Sequence, residues 1–387
     1  MMTTFNLPTG DQIATWLARL VQIPSVSPDQ AGPRAGVAGE GRIAAAIAGW
    51  FQDLGGEVAL DEVMPGRPNV FGIWRSSADQ RNARWFAVDV HVDTVSVERM
   101  TADPFDGRVA DGRVYGRGAV DTKASLAILL ALLEQLQQSG QRLAVNLLVA
   151  ATVDEEVGAS GAPAAAAWIG RQGLHIDELL VAEPTECSPI HGHKGLVRLE
   201  FAVRGKAVHS SQAELGQNAV VAAARLVLAL QAEHERLQQL PAASLGRGLL
   251  TVTIIHGGTG INVVPDHCLV ALDRRLVDGE RASAVVTQLH DLARQSCPLP
   301  LTMRVQKEID PFYQSLDSPW LRQLVAWSGS TPLSAPYGTN AWAYAGVAGQ
   351  RVVFGPGSIN QAHGAEEWVE IDQLVRAAAI YARWWGL

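Results

Sequence analysis

The chain has 387 residues, more than the roughly 250–300 over which a single hydrophobic core usually grows, so two domains are expected. Hydrophobic residues make up 48% and charged residues 18%, a composition typical of a folded globular protein rather than a disordered one. The formal net charge is -8 and the lysines and arginines are scattered, which argues against nucleic acid or an anionic membrane surface as a partner.

The cysteines and the apolar runs predict the cellular compartment of the protein. Cys187, Cys268 and Cys297 lie far apart without a CxxC pair, which favours free thiols in a reducing compartment over disulfides or a thiolate zinc site. No apolar run reaches the roughly 18 residues of a membrane span, and the first residues lack the pattern of a signal peptide. We therefore expect a cytoplasmic protein without a membrane partner.

Residues 1–190 alternate between helical and strand patterns. The stretches GRIAAAIAGWFQDLG and TKASLAILLALLEQLQQSG have apolar residues at helical spacing, whereas RWFAVDVHVD and AVNLLVAATV are typical of buried strands. This alternation predicts an α/β domain with a mostly parallel sheet covered by helices. The same pattern returns over residues 307–387, so the two segments are expected to form one domain.

Residues 191–306 have a different pattern and are predicted to form a second domain inserted into the first. Its strands and helices follow the order β-α-β-β-α-β, which is the arrangement of a small, ferredoxin-like α+β domain.

Histidines and acids gather where the predicted strands of the α/β domain end. In such sheets the ligand crevice lies beyond the carboxyl ends of the strands. The residues concerned are His91, Asp93, Asp121, Glu155, Glu156, Glu183 and His363. Their repeated arrival at one predicted edge indicates a binding site rather than surface decoration.

These side chains are suited to a pair of metal ions. Histidine and carboxylate ligands without cysteine favour zinc or cobalt, and there are more oxygens than one tetrahedral ion uses. Two ions need a bridging carboxylate, and Asp121, held by glycine-rich backbone, fits that task. Asp93 lies two residues after His91, on the same face of a strand, and is expected to orient that histidine.

The consecutive acids Asp154, Glu155 and Glu156 follow a buried strand directly. Adjacent residues at a strand end point in different directions, so one carboxylate can bind metal while its neighbour stays free as a general base. The reaction class that this arrangement predicts is metal-assisted hydrolysis of an amide.

The motifs HVDTV, DGRVYGRGAVDTKA, VDEEVG, AEPTE and AHGAEEWVEI, in this order, resemble those of the metallopeptidase M20 family. The family includes acetylornithine deacetylase, succinyl-diaminopimelate desuccinylase, aminoacylase and glutamate carboxypeptidase. The resemblance implies a di-zinc hydrolase domain in which Glu155 is the general base, Asp93 orients His91 and the peptide after Asp121 is cis. The zinc ligands that it implies are His91, Asp121, Glu156, Glu183 and His363.

The inserted segment resembles the lid and dimerisation domain of the same family. GKAVHSSQAELGQNAV, GGTGINVVP and LDRRL match segments that place His209 as an oxyanion donor to the partner subunit of a homodimer, and Asn262 and Arg275 as substrate ligands. Arg274 is the alternative to Arg275, since strand alternation allows only one of them to face the site. Asn340 stands where many members have an acid and is expected among the substrate residues, and Ala124 replaces a usual glycine.

The sequence therefore predicts a di-zinc amidohydrolase, similar to acetylornithine deacetylase, that removes an acetyl- or succinyl-like group from an amino acid. An M20-type carboxypeptidase or dipeptidase acting on short peptides is the alternative among enzymes. A catalytically silent relative that binds metal or an amino acid is the alternative from another class.

Overall fold

A computed structural model of the protein describes residues 5–76 and 83–387. The α-helices of these residues are α1 (Gly10–Val21), α2 (Gly41–Asp53), α3 (Lys123–Ser139), α4 (Gly161–Arg171), α5 (Ala219–Gln239), α6 (Ala282–Ser296), α7 (Pro319–Ser328) and α8 (Ile371–Trp385). Between them lie sixteen β-strands.

The first eight strands are β1 (Glu57–Met64), β2 (Arg67–Trp74), β3 (Trp85–His91), β4 (Val109–Ala110), β5 (Arg113–Tyr115), β6 (Asn146–Thr152), β7 (Ile176–Val181) and β8 (Ile190–His193). The others are β9 (Gly195–Arg204), β10 (Leu249–Gly257), β11 (His267–Leu276), β12 (Leu301–Ile309), β13 (Phe312–Tyr313), β14 (Leu333–Ala335), β15 (Ala348–Val353) and β16 (Trp368–Glu370).

The chain forms two compact units. The larger unit contains Met1–His191, Gln314–Leu333 and Thr339–Leu387, and the smaller unit contains Gly192–Tyr313 with Ser334–Gly338. No helix of the described residues is both long enough and apolar enough to cross a membrane.

The main sheet of the larger unit has the strand order β1-β2-β6-β3-β7-β15-β8. The central strands β6, β3, β7 and β15 are parallel, whereas β1, β2 and β8 pair antiparallel at the edges. Every residue of β6 is buried, as expected for a strand with covered faces. This arrangement confirms the predicted α/β domain.

Helix α3 lies in the middle of the larger unit's core. Its residues from Lys123 to Leu133 are all buried, and the helix contacts β3, α1 and α8. It ends at Gly140, whose φ of 68° is a conformation that favours glycine. Because α3 has apolar residues on all sides, it is stable only in the interior of the larger unit.

The smaller unit is a four-stranded antiparallel sheet of order β10-β11-β9-β12 with two helices. Helix α5 contacts β10, β11 and β9, and α6 contacts β12 and β9. The burial of β9 alternates along its length because one face packs on the helices. The chain order β9-α5-β10-β11-α6-β12 confirms the predicted β-α-β-β-α-β arrangement.

Candidate active site

Four of the five predicted ligands, all except Asp121, come from the neighbouring parallel strands β6, β3, β7 and β15 or from the loops that follow them. His91 is the last residue of β3, and Glu183 follows two residues after β7. Asp121 lies in the turn before α3, where Gly118 has a φ of 84° and an added Cβ would lie 2.9 Å from the Lys123 side chain. Parallel strands end at one edge of the sheet, which is why residues distant in sequence meet there.

Asp121 joins two groups of ligand-type side chains. His91, Asp121 and Glu183 form one group and Asp121, Glu156 and His363 the other, with the potential ligand atoms of each group within 4.8 Å of one another. One oxygen of Asp121 lies 3.1 Å from His91 Nε2, and the other lies 3.2 Å from His363 Nε2. The carboxylate is thus positioned between the two groups.

The electrostatics of these groups fit divalent cations. Burial, together with the neighbouring carboxylates, raises the pKa of Glu156 to about 7 and that of Glu183 well above its usual range. Burial opposes ionisation of Asp121, but hydrogen bonds from His363 and His91 hold its pKa below the usual range. Carboxylates crowded in this way repel one another, and bound cations would remove that repulsion.

Asp93 connects the predicted ligand His91 with the turn that carries Glu155 and Glu156. Its two carboxylate oxygens accept hydrogen bonds from the backbone N–H groups of Glu155 and Glu156, each at 3.0 Å. His91 Nδ1 lies 3.1 Å from the Asp93 carbonyl oxygen and 3.5 Å from the carboxylate. The second ring nitrogen of His91 is therefore held mainly by the Asp93 main chain, and the Asp93 carboxylate holds the turn.

Glu155 lies among the charges of both ligand groups. Burial raises its pKa to about 8, and the charges of Glu156, Asp93 and Asp121 act in the same direction, whereas His91 opposes them. Cations bound at the two groups would oppose these effects and lower the pKa of Glu155.

Three residues that hold the Asp121 loop were not predicted from the sequence. Glu367 accepts hydrogen bonds from the backbone N–H groups of Val120 at 3.0 Å and of Asp121 at 3.2 Å, and pairs with the buried Arg117. The buried Lys123 Nζ donates to the carbonyl oxygens at the end of α1 and just beyond it. The doublet in AHGAEEWVEI was the available signal for Glu367. The peptide between Asp121 and Thr122 is cis, as the family resemblance implied.

His209 and Asn262 lie on adjoining segments of the smaller unit. The Asn262 carbonyl oxygen accepts a hydrogen bond from the Ser210 N–H at 2.9 Å, and a β-bridge joins His209 to Val263. The N–H of Ser211 donates to His209 Nδ1 at 3.2 Å. The Ser211 hydroxyl oxygen lies 2.7 Å from the same Nδ1, so both contacts of His209 with Ser211 are made through Nδ1 and neither through Nε2.

The two arginines of LDRRL have different environments. Arg274 is buried and donates to Glu280 and to the Arg275 carbonyl oxygen. Arg275 donates to Asp273 at 2.7 Å and lines a cavity of about 450 Å³ in the smaller unit, together with Lys194. Arg274 lines a different cavity of about 400 Å³ together with the acids Glu233, Glu280 and Asp291, whereas no acid is among the residues that line the cavity of Arg275.

Asn340 is buried within the larger unit. It begins a short helical turn, Asn340–Trp342, and its amide nitrogen donates to the Thr152 hydroxyl at 3.3 Å. The Thr152 hydroxyl in turn donates to the buried Asp89 at 2.7 Å. Asn340 thus belongs to a polar network beside the carboxyl end of β6.

Comparisons with known proteins agree with this architecture. An acetylornithine deacetylase from Myxococcus xanthus is 31% identical over 335 residues, which are 84% of this chain and 85% of that protein. The fold is similar to that of an M20 family metallo-carboxypeptidase from Sulfolobus solfataricus, with a TM-score of 0.74 and 18% identity, covering 97% of this chain and 99% of that one.

A dinuclear metal binding peptidase of the M20 family from Bacillus subtilis has a TM-score of 0.69 and 15% identity, with 97% of each chain covered. These two structures share the fold at low identity. A family model described as peptidase family M20/M25/M40 matches residues 87–386. The match extends over most of the chain and confirms the predicted family: this protein belongs to peptidase family M20/M25/M40 and is a hydrolase of amide bonds.

Proposed function

We propose that this protein is a di-zinc amidohydrolase that removes an acetyl- or succinyl-like group from the nitrogen of an amino acid. The observation that carries the proposal is the position of Asp121 between two groups of histidine and carboxylate ligands, with Glu155 beside them. The 31% identity to an acetylornithine deacetylase supports a deacylase reaction.

In this proposal His91, Asp121 and Glu183 hold one zinc ion, and Asp121, Glu156 and His363 hold the other. Imidazole nitrogens and carboxylate oxygens suit zinc, with cobalt as the expected substitute. When bound, the two ions polarise the scissile carbonyl and lower the pKa of an attacking water.

Glu155 is the proposed general base. Its carboxylate removes a proton from the attacking water and passes that proton to the amine that leaves. The hydrogen bond from the Glu155 N–H to Asp93 fixes the backbone from which the carboxylate extends. Asp93 therefore acts as a positioning residue for both the base and His91.

His209 is the proposed oxyanion donor, acting on the site of the partner subunit in a homodimer. As the tetrahedral intermediate forms, His209 Nε2–H donates a hydrogen bond to the oxygen that gains negative charge. The contacts of Ser211 with Nδ1 support this role because they orient the ring through Nδ1 and leave Nε2 to face the substrate.

The edge strand β10 is the proposed dimer contact. It lies at one edge of its sheet, and Ile254 and Ile255 on it are 51% and 52% exposed. An unpaired edge strand with exposed apolar side chains is a surface that proteins usually cover.

The cavity beside Arg275 is the proposed site for the substrate's amino acid portion. A guanidinium binds a carboxylate through two parallel hydrogen bonds, and Lys194 adds a second positive charge. Leu245, Leu249 and Pro336 give the same cavity an apolar wall. We propose Asn262 as a further polar contact of the substrate, and we propose Asn340 of the larger unit as another substrate residue.

An M20-type carboxypeptidase or dipeptidase is the second candidate. Arg275 would bind the terminal carboxylate of a short peptide as well as that of an acyl amino acid. The structural similarity to a metallo-carboxypeptidase is consistent with a peptidase reaction. We also propose a cytoplasmic location, because Cys187, Cys268 and Cys297 are free and buried.

A substrate panel tests these proposals. The zinc-loaded protein is assayed with N-acetyl, N-succinyl and N-carbamoyl amino acids and with dipeptides, and kcat/KM is compared. We expect the best acyl amino acid to exceed every dipeptide by about 10-fold or more, the margin that roughly 1.4 kcal/mol of selective binding gives. A dipeptide as the best substrate would favour the peptidase, and zinc binding without any hydrolysis would contradict both.

A further inference from the structure

A buried ion network lies behind the turn that carries Glu155. Its members are Glu40, which directly precedes α2, Arg67, which begins β2, and Asp154, which follows β6. Their exposed fractions are 0%, 8% and 3%. The mechanism proposed above uses none of them.

Arg67 holds the other two members together. Its Nε and Nη2 atoms donate to the two oxygens of Glu40 at 2.6 and 2.7 Å, a bidentate contact. Arg67 Nη2 also donates to Asp154 Oδ1 at 3.2 Å. The Asp154 N–H donates to Glu40 at 3.1 Å, so Asp154 is fixed by its backbone as well as its side chain.

Asp154 has a backbone conformation that needs such support. Its φ is 60°, in the left-handed region that residues with a Cβ rarely adopt. Its carbonyl accepts from the Ala159 N–H at 2.6 Å, and its second carboxylate oxygen from the Ser160 N–H at 3.3 Å. Asp154 thus closes the turn over residues 154–160 while being held from behind.

The next two residues are held by a different side chain. Asp93 accepts the N–H groups of Glu155 and Glu156, each at 3.0 Å. The turn is therefore fixed by Asp93 at Glu155 and Glu156 and by the ion network at Asp154. Between these supports the backbone of the two glutamates has little freedom to rotate.

We propose that Glu40, Arg67 and Asp154 are positioning residues that fix the direction of the Glu155 carboxylate. With the network intact, Glu155 stays directed at the attacking water, while the backbone of Glu156, the proposed ligand, is held separately by Asp93. A buried ion network is weak evidence of a role in stability, because apolar side chains of similar volume often replace such groups at no cost. The inference rests on the proposed hydrolysis, in which Glu155 is the base.

The test compares Arg67→Met with wild type in the zinc-loaded protein. We expect kcat to fall about 10²-fold, the loss that a displacement near 1 Å causes, while KM and the zinc content stay within about twofold. Arg67→Lys keeps the charge but loses the bidentate geometry, so we expect an intermediate kcat. An Arg67→Met variant with wild-type kcat would overturn the proposal.

Glu178→Gln is the matched control. Glu178 is a buried glutamate on β7 that pairs with Arg84 and accepts from Trp384 Nε1 at 2.7 Å. Replacing this carboxylate by an amide weakens the pair with Arg84, so Glu178→Gln should lower the melting temperature without lowering kcat. Equal losses of kcat in both variants would mean that the network acts on general stability only, against the proposal.

Amide hydrogen exchange gives a readout that does not depend on activity. Exchange over residues 155–160 should be faster in Arg67→Met than in wild type, and unchanged in Glu178→Gln. If wild type hydrolyses no amide, the proposed function fails while exchange still tests the support of the turn. Should Arg67→Met not fold, Asp154→Asn decides: wild-type kcat and exchange in that variant would contradict the proposal.

Discussion

Asp93 is buried beside the end of β3 and serves two parts of the site. Its main-chain carbonyl lies closest to His91 Nδ1, and its carboxylate accepts both N–H groups of the Glu155–Glu156 turn. Strand alternation predicted that the Asp93 side chain orients His91, but the main-chain carbonyl is the nearer group, and the contact with the turn was not predicted. The contact with the turn depends on β6 lying next to β3, a pairing that the sequence does not state.

Glu155 is the residue whose replacement separates chemistry from metal binding. We expect Glu155→Gln to lower kcat by about 10²–10⁴-fold, because the amide cannot accept a proton from water. The zinc content should stay at two ions per chain, since the ligands are unchanged. Steady-state kinetics with metal analysis of the same samples measures both.

Glu134→Gln is the control for that prediction. Glu134 is an acid of α3 that accepts a hydrogen bond from Trp16 Nε1 at 3.0 Å, outside the ligand groups. Its replacement should leave kcat unchanged. Normal turnover by Glu155→Gln would remove Glu155 from the role of base.

At the scale of elements, the two edge strands of the smaller unit differ. Strand β10 exposes two adjacent isoleucines, whereas β12 exposes Val305 among charged and polar residues such as Arg304, Gln306 and Lys307. Charged residues on an edge strand oppose pairing with another chain. The difference favours β10 over β12 as an interface.

Replacing Ile254 and Ile255 by lysine should convert the proposed dimer to monomers. Two charges on each facing strand repel and are costly to bury, so association is lost. Sedimentation velocity measures the assembly, and Val305→Lys on β12 is the matched control that should remain a dimer. A double variant that still sediments as a dimer would exclude β10 as the contact.

Mixed dimers test whether His209 acts across that contact. Glu155→Gln and His209→Ala chains are each expected to be nearly inactive alone. When equal amounts exchange subunits, about half of the dimers should contain one chain of each variant. Each such mixed dimer has one complete site out of two, so the mixture should recover about a quarter of wild-type activity. Failure of an exchanging mixture to recover activity would place His209 outside the partner's site.

At the scale of the whole molecule, metal binding is expected to stabilise the fold. The proposed ligands come from segments as far apart in sequence as His91 and His363, so only the folded chain brings them together. At a zinc concentration about 1,000 times the Kd of the first ion, binding of that ion should raise the free energy of unfolding by about 4 kcal/mol.

Protons should compete with zinc for the proposed ligands, so we expect the stabilisation by zinc to depend on pH. Without metal, hydrogen bonds with Asp121 and Glu156 raise the pKa of His363 to about 10, and burial raises that of Glu156 to about 7. Both groups must lose protons to bind zinc, so the stabilisation should shrink as pH falls from 8 to 5. Thermal unfolding with zinc and with chelator measures it, and a pH-independent difference would contradict this coupling.

The prediction from sequence succeeded where periodicity or an ordered motif set was available. The alternation of helices and parallel strands, the β-α-β-β-α-β segment and the family followed from such local patterns. The contacts of Glu367 with the Asp121 loop and of Arg67 with Asp154 were not predicted. Each of these contacts joins residues more than 80 positions apart in the sequence. Such a contact leaves no periodic pattern in the sequence from which it could be predicted.

By itself, the sequence determined which residue types arrive at the strand ends, because apolar runs and the acids that follow them are local features. Only the tertiary structure decided how the backbones of Asp154, Glu155 and Glu156 are held. Asp154 adopts a left-handed conformation and pairs with Arg67, while the backbones of the two glutamates are held by Asp93. The physical reason is that the direction of a side chain depends on backbone angles, and partners from other strands and loops fix those angles here.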